Sequence, residues 1–316
     1  MNISLRQLRY FVAVAECGQV TLAAAELGIS QPSITEAVRA LESETGVKLL
    51  RRHGKGMILT NEGTQFLLQA KRILADLVDA VQGLRSLGAT LEGSIRVGAT
   101  YTLSGLFLPS VLARFRRAFP GIEVRLEEFE RPQLERKLLE ENLDLGMLIV
   151  SNLRNRRKLS SEILFRSRRR LWVAPNHPLT RTKRVTLEDV AKEPFISMRC
   201  DEAERMTLNY WKKADLTPNI VFSTSSMDAV RGLVANGVGV TILSDLAFKP
   251  WSAEGDRLEA IPLSDPVPEM IGGLVWKQDH CFTNAEEAFV QFLRNALPRG
   301  NSRSPRSNSQ PLRETT

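Results

Sequence analysis

The sequence predicts a multidomain chain: a mostly α-helical N-terminal module, one long helix, and an α/β domain of two lobes. Three observations predict it. Residues 1–45 carry apolar side chains at helical spacing in three short runs separated by turn residues. Residues 61–87 contain no proline and only Gly63 and Gly83. Beyond Gly93, short apolar runs alternate with amphipathic ones, the pattern of strands joined by crossover helices. With 316 residues, 43% of them hydrophobic, the chain can build two or three domains with sizeable cores.

Leu5, Leu8, Phe11, Val12 and Ala15 line one side of a first helix. Thr21 to Leu27 form a short second one, in which Ala23, Ala24 and Ala25 let a neighbour pack close, and Gly28 supplies the positive φ of a tight corner. The third helix starts at Ser30, a good N-cap, with Pro32 in the first turn and Ile34, Val38 and Leu41 at helical spacing. One face is therefore buried. The opposite face carries Gln31, Ser33, Thr35, Glu36 and Arg39, able to exchange hydrogen bonds with base edges and phosphates. Alone, this pattern fits a recognition helix and an ordinary surface helix equally; the two helices before it favour the first. Val47 to Arg52 and Met57 to Thr60 then read as a hairpin with the tip His53-Gly54-Lys55-Gly56, completing a winged helix-turn-helix. Arg51, Arg52 and Lys55 are placed on this wing to hold phosphates.

Leu5-Arg6-Gln7-Leu8-Arg9-Tyr10-Phe11, Ala23-Ala24-Ala25-Glu26-Leu27, Ser30-Gln31-Pro32-Ser33, Arg39-Ala40-Leu41-Glu42, Gly46-Val47-Lys48-Leu49 and Leu59-Thr60-Asn61-Glu62-Gly63 together resemble the N-terminal domain of LysR-type transcriptional regulators. The resemblance implies that Gln31, Pro32, Ser33, Thr35, Glu36 and Arg39 read double-stranded DNA. Many family members carry a basic residue where this chain has Glu36. A carboxylate cannot hold a phosphate but accepts a hydrogen bond from a cytosine amino group, so a different operator preference is expected.

In the long helix Leu67, Ala70, Leu74, Leu77, Val81 and Leu84 follow at alternating spacings of three and four, with Phe66, Ile73, Ala80 and Leu87 beside them every seven. That stripe is too broad for a solvated linker. It fits the core helix of a single domain or a dimerisation helix; its position, and the resemblance, favour dimerisation, which sets two recognition helices on successive major-groove faces. Gly88 ends it.

A strand Ile95 to Ala99, a helix Thr102 to Ala118, a strand Ile122 to Phe129, a helix Pro132 to Glu140 and a strand Asp144 to Val150 make a βαβαβ unit, hence a parallel sheet. The second unit is expected as a strand Phe165 to Ala174, a helix Leu187 to Ala191, a strand Phe195 to Met198, a helix Glu202 to Lys213, a strand Ile220 to Phe222, a helix Ser226 to Ala235 and a strand Gly237 to Leu243. Ile271 to Trp276 and a helix Ala285 to Leu297 return the chain to the first unit. This arrangement resembles the effector-binding domain of the LysR family, similar to type 2 periplasmic binding proteins. The expected domains are 1–60, the linker helix 61–88, the effector domain 92–298 (lobe I about 92–162 and 266–298, lobe II about 163–265) and a polar, disordered tail 299–316.

Ligands of such sheets sit beyond the C-terminal ends of the strands. Those ends give Thr100, Tyr101 and Thr102, then Arg131, Ile149, Ser197 and Met198, and finally Thr224 and Ser225. Hydroxyls beside one arginine favour a small carboxylate. Each hydroxyl taken singly is equally a helix cap, and Tyr101 either stacks on an aromatic effector or packs between lobes. Arg154, Arg156, Arg157, Lys158, Arg166, Arg168, Arg169 and Arg170 crowd the crossover, opposed only by Glu162, and read as a solvated face, a subunit contact or a polyanion surface.

The net charge of +7 suits a polyanion partner, yet residues 1–60 hold seven Lys and Arg against five Glu, so placement on the wing says more than charge. Cys17, Cys200 and Cys281 fit no disulfide framework or metal spacing, and His53, His177 and His280 fit no triad, so neither catalysis nor a cofactor is expected. Some LysR-type regulators sense peroxide through a cysteine near Cys200; a small unreactive cysteine is the default. No apolar run is long enough to span a bilayer, no signal core is seen, and the chain is expected to be cytoplasmic. The expected function is sequence-specific, effector-modulated transcriptional regulation. Expected partners are double-stranded DNA, a small-molecule effector, further copies in a homodimer and, by resemblance, a homotetramer, and RNA polymerase if the regulator activates. The alternatives are a redox sensor, an effector-independent regulator whose cleft is filled by its own side chains, and a solute-binding or enzymatic α/β domain.

Overall fold

The computed structural model describes the backbone of residues 2–53, 56–86, 91–202 and 209–296, and the side chains there except at 53, 78–86, 202 and 296. Three helices, α1 Leu5–Cys17, α2 Val20–Leu27 and α3 Gln31–Thr45, form the N-terminal module. Gly28 turns the chain from α2 toward α3 with φ 67°, a conformation that costs a side-chain-bearing residue and costs glycine little. Phe11, Ile34 and Leu41 are buried together with Leu49 and Leu50 from the segment that follows. The wing is shorter than its apolar pattern: β1 Leu50–His53 pairs antiparallel with β2 Gly56–Leu59, Leu50 opposite Leu59. At the entry to β1 the Leu49 and Leu50 N–H groups turn to α3, where Glu42 Oε1 accepts them at 2.9 and 3.1 Å.

Helix α4 Asn61–Ser86 starts directly over the wing. A Cβ at Gly63 would lie 1.8 Å from the Leu49 carbonyl oxygen, so only glycine permits this approach. Phe66 meets Phe11 edge to face at 5.5 Å and Ala70 is buried, whereas Leu68, Ile73 and Leu77 are exposed. The side chains of Ala80, Val81 and Leu84, and Leu87 and Gly88 altogether, lie outside the described residues.

Lobe I contains β3 Gly93–Ala99, α5 Tyr101–Leu106, α6 Leu108–Ala118, β4 Ile122–Glu128, α7 Arg131–Leu139, β5 Leu145–Ile149 and β6 Leu159–Ser167. The single helix expected over 102–118 is two. Pro109 has no N–H to donate to the Gly105 carbonyl and its ring would press on it, so the helix breaks at Phe107. The sheet, in the order β4-β3-β5-β12-β6, is mixed rather than parallel: β3 runs parallel to β4 and β5, while β12 Met270–Lys277, returning from lobe II, is antiparallel to β5 and β6. Phe115 anchors its core, with Phe289 and Phe292 of α11 Asn284–Ala296 edge-on at 4.9 and 5.3 Å.

The strand expected over 165–174 is also two strands. β6 stays in the lobe I sheet to Ser167, and β7 Arg169–Val173 opens lobe II, so the chain changes sheets at Arg168 rather than near residue 163. Lobe II continues with α8 Leu187–Ala191, β8 Pro194–Met198, the helical residues 209–213 (α9), β9 Asn219–Thr224, α10 Met227–Ala235, β10 Thr241–Ser244 and β11 Glu259–Ile261. The beginning of the helix expected from Glu202 falls in 203–208, outside the described residues, as do Lys55 and the tail 299–316. β7 lies between β10 and β11, β8 pairs with β9, and the two pieces join where Ile196 N–H meets the Val240 carbonyl at 2.9 Å. The strand expected from Gly237 begins only at Thr241, because Gly237 (φ 72°) and the Val238 N–H, bonded to Leu233, still close α10.

Candidate functional site

On α3 the burial divides cleanly. Ile34, Val38 and Leu41 face the core, while Gln31, Pro32, Ser33, Glu36 and Arg39 are exposed. Ser30 caps the helix by accepting the Ser33 N–H at 3.4 Å. Thr35 is half-buried and donates its hydroxyl to the Gln31 carbonyl at 2.9 Å, which leaves its oxygen lone pairs able to accept. Gln31, Pro32, Thr35, Glu36 and Arg39 line one shallow recess. On the wing, Arg51 and Arg52 are exposed on β1. Arg51 has a long 3.8 Å contact with Glu259 of lobe II, too open to hold it firmly. Glu42 ties this wing to the helix: besides the two N–H groups it accepts Lys48 Nζ at 2.7 Å. Burial would raise the Glu42 pKa, but Lys48 and the Leu50 and Leu49 N–H groups outweigh it and hold the carboxyl below its ordinary range.

In the α/β domain Thr100, Tyr101 and Thr102 stand at the end of β3, Thr100 and Thr102 buried and Tyr101 exposed. Thr100 is the N-cap of α5, yet its hydroxyl does not cap the helix. It reaches Asp201 of lobe II at 3.2 Å, and the Thr102 N–H donates to the same Asp201 Oδ2 at 2.7 Å. Asn152, after β5, donates its Nδ2 to the Asp201 carbonyl at 2.9 Å. Ile149 is buried at the end of β5. Across the cleft, Ser197 and Met198 close β8 opposite Ser223 and Thr224 of β9. Thr224 caps locally, its hydroxyl accepting the Ser226 N–H at 3.0 Å, and Ser225 is exposed. Among the described residues, the buried Ser197 Oγ and Asn152 Oδ1 have no hydrogen-bond partner.

Arg131, expected at the cleft from its place at a strand end, has a partner within its own helix. Its Nη1 donates to Glu135, one turn on, at 2.8 Å, and Glu135, 1% exposed, also accepts the Arg154 and Asn155 N–H groups at 3.0 and 3.1 Å. Burial pushes the Glu135 carboxyl up, and these donors more than reverse the push. Asn152 and Asp201 were missed because after these two strands the expected residues ended at Ile149 and Met198; Asn152 lies three residues beyond β5 and Asp201 three beyond β8. Three arginines of the cluster have partners near and far in the chain: Arg156 Nη2 donates to the Val150 carbonyl at 2.8 Å, Arg170 pairs with Asp245, and Arg168 Nη1 caps α1 at the Cys17 carbonyl at 2.9 Å. Glu162, the acid within the stretch, binds Arg294 at 2.6 Å instead.

The Cys200 thiol is half-buried, and burial pushes its pKa up to about 12. Cys17 is likewise pushed to about 12 by burial, then by its bond to Glu26. Among the described residues no cluster of His, Cys, Asp and Glu could hold a metal ion, and no helix is long and apolar enough to cross a membrane.

Residues 5–64 match the bacterial regulatory helix-turn-helix protein, LysR family, and residues 88–298 match the LysR substrate binding domain. The chain is similar to the uncharacterized HTH-type transcriptional regulator YnfL of Escherichia coli (strain K12), with 34% identity over 94% of this chain and all of that protein. It is 27% identical to a hydrogen peroxide-inducible genes activator of Pectobacterium carotovorum over 93% of this chain and 97% of that one. In structure it is similar to HinK, a LysR family transcriptional regulator from Pseudomonas aeruginosa, with a TM-score of 0.61, 30% identity and coverage of 93% of this chain and 98% of that one. With both halves matched in order, the chain belongs to the LysR family of DNA-binding transcriptional regulators.

Proposed function

We propose that this regulator reads its operator with the exposed face of α3, holds the phosphates with the wing, and answers a small molecule bound between its lobes. The observation that carries the proposal is the division of α3 into an apolar face locked in the core and an outward row of Gln31, Pro32, Ser33, Glu36 and Arg39. Thr35 contributes from the flank of that row, and Arg51, Arg52 and Lys55 supply the salt-dependent part of the affinity. The exposed Leu68, Ile73 and Leu77 on α4 support pairing of two copies through that helix, with a tetramer as the next level of assembly. The effector meets Thr100, Tyr101 and Thr102 on one side and Ser197, Met198, Thr224 and Ser225 on the other, above Ile149. The protein acts on chromosomal DNA in the cytoplasm and, if it activates, engages RNA polymerase. Catalysis has no part in this function; His177 and His280 make contacts with Glu193 and Glu286. Cys200, with its pKa pushed up to about 12, is poorly suited to peroxide sensing.

Titration of the full-length protein with the duplex upstream of its own gene and with an unrelated duplex, at two salt concentrations, tests the reading. The cognate duplex is expected to bind at least about 10³-fold more tightly at physiological salt. Equal affinity would contradict sequence reading by α3.

A further inference from the structure

The donors that would receive a ligand's carboxylate at the end of β3 already hold one. Asp201 arrives from lobe II, and its Oδ2 takes both the Thr102 N–H and the Thr100 hydroxyl of lobe I. Its backbone is fastened to the same lobe by Asn152. The bonds to the carboxylate are charge-assisted and sheltered, since Thr100 is 2% and Thr102 7% exposed. Asp201 has a left-handed backbone (φ 49°, ψ 36°), a conformation that aspartate tolerates better than most side-chain-bearing residues. A second carboxylate, Glu128, takes the Ser104 hydroxyl on the same helix, α5. An incoming carboxylate therefore meets occupied donors and like charge.

We propose that Asp201 is a specificity-determining residue of the cleft: it takes in cis the Thr102 N–H and Thr100 hydroxyl that a small carboxylate would use, and by the same contact holds lobe II to lobe I. The native protein accordingly passes over small carboxylates, and its effector either lacks such a group or displaces Asp201. This rests on the reading of the cleft as the effector site.

Removing the side chain should turn the filled position into one that accepts a carboxylate in trans. In full-length protein, Asp201→Gly vacates it and suits the left-handed backbone; Asp201→Ala vacates it a second way should the glycine variant fold poorly. Asp201→Asn keeps the shape and an oxygen acceptor. The probe is sodium acetate against sodium chloride at equal ionic strength, read by thermal unfolding. Expected are a saturable rise of several degrees in acetate for the glycine and alanine variants, none for wild type or the asparagine variant, and loss of the rise when Thr100→Val is added. Vacated variants indifferent to acetate, or a wild type that gains as much as they do, would overturn the proposal. No metabolite enters this assay, so a cleft that answers no metabolite, with acetate rescue intact, would sink the effector reading alone.

Discussion

Glu135 illustrates what residue spacing could not convey. Arg131 and Glu135 are one helical turn apart, an arrangement common on solvated faces and worth a few tenths of a kcal/mol there. In this fold the pair is buried and the carboxylate also terminates two backbone N–H groups. Glu135→Gln removes the charged acceptor of Arg131 Nη1 and of the Arg154 and Asn155 N–H groups and should cost about 1.5–3 kcal/mol in urea unfolding. The pH dependence has a definite sign. Glu135 and Glu42 are both held below the ordinary value of 4.5 in the folded chain, so the unfolded chain binds protons first as pH falls. Their stabilisation is fully present above that value and is lost as pH drops through the folded pKa. Unfolding free energy measured across acidic pH should fall for wild type and fall less for Glu135→Gln; parallel slopes would show that Glu135 is not held down. Two of the groups that Glu135 accepts, the Arg154 and Asn155 N–H groups, come from the loop after β5, and helical spacing within α7 gives no sign of them.

Among the elements, α3 was the most legible, because its cap, its proline and its apolar spacing all agree with the structure. The wing and α3 divide the work on DNA in a way that binding measurements separate. Gln31→Ala should cost about 1–3 kcal/mol of discrimination between cognate and altered operators, whereas Arg52→Ala should weaken all duplexes alike and lower the salt slope by about one. The reverse pattern would contradict the assignment. For α4, Ile73→Asp together with Leu77→Asp puts charge on its exposed apolar face and should shift the protein toward monomer in sedimentation velocity; an unchanged assembly would mean that α4 does not pair. The breaks that spacing did not reveal have local causes. Pro109 divides α5 from α6 and was visible in the sequence, but the apolar period continues through it. The change of sheets at Arg168 left no turn residue to mark it, since β6 and β7 are separated by a single residue.

For the molecule as a whole, the order of modules was legible from period and punctuation, while the mixed character of the lobe I sheet was not: β12 enters it from the far end of the chain, and pairing at that separation leaves no local trace. A second long-range contact brings Asp201 of lobe II, which strand ends did not mark, onto Thr102 of lobe I. Regulation then has a physical form. A ligand that separates or tightens this contact changes the relation of the lobes, and by linkage DNA and ligand must alter each other's affinity by the same factor. The most direct measurement is a nuclease footprint of the full-length protein on the DNA upstream of its own gene, repeated across a panel of metabolites. Expected is a protected region long enough for two half-sites, whose extent or hypersensitive bands change with one compound. No protection there or on any genomic fragment would contradict the assignment of α3 and the wing, and protection indifferent to every compound would contradict the cleft as the regulatory site.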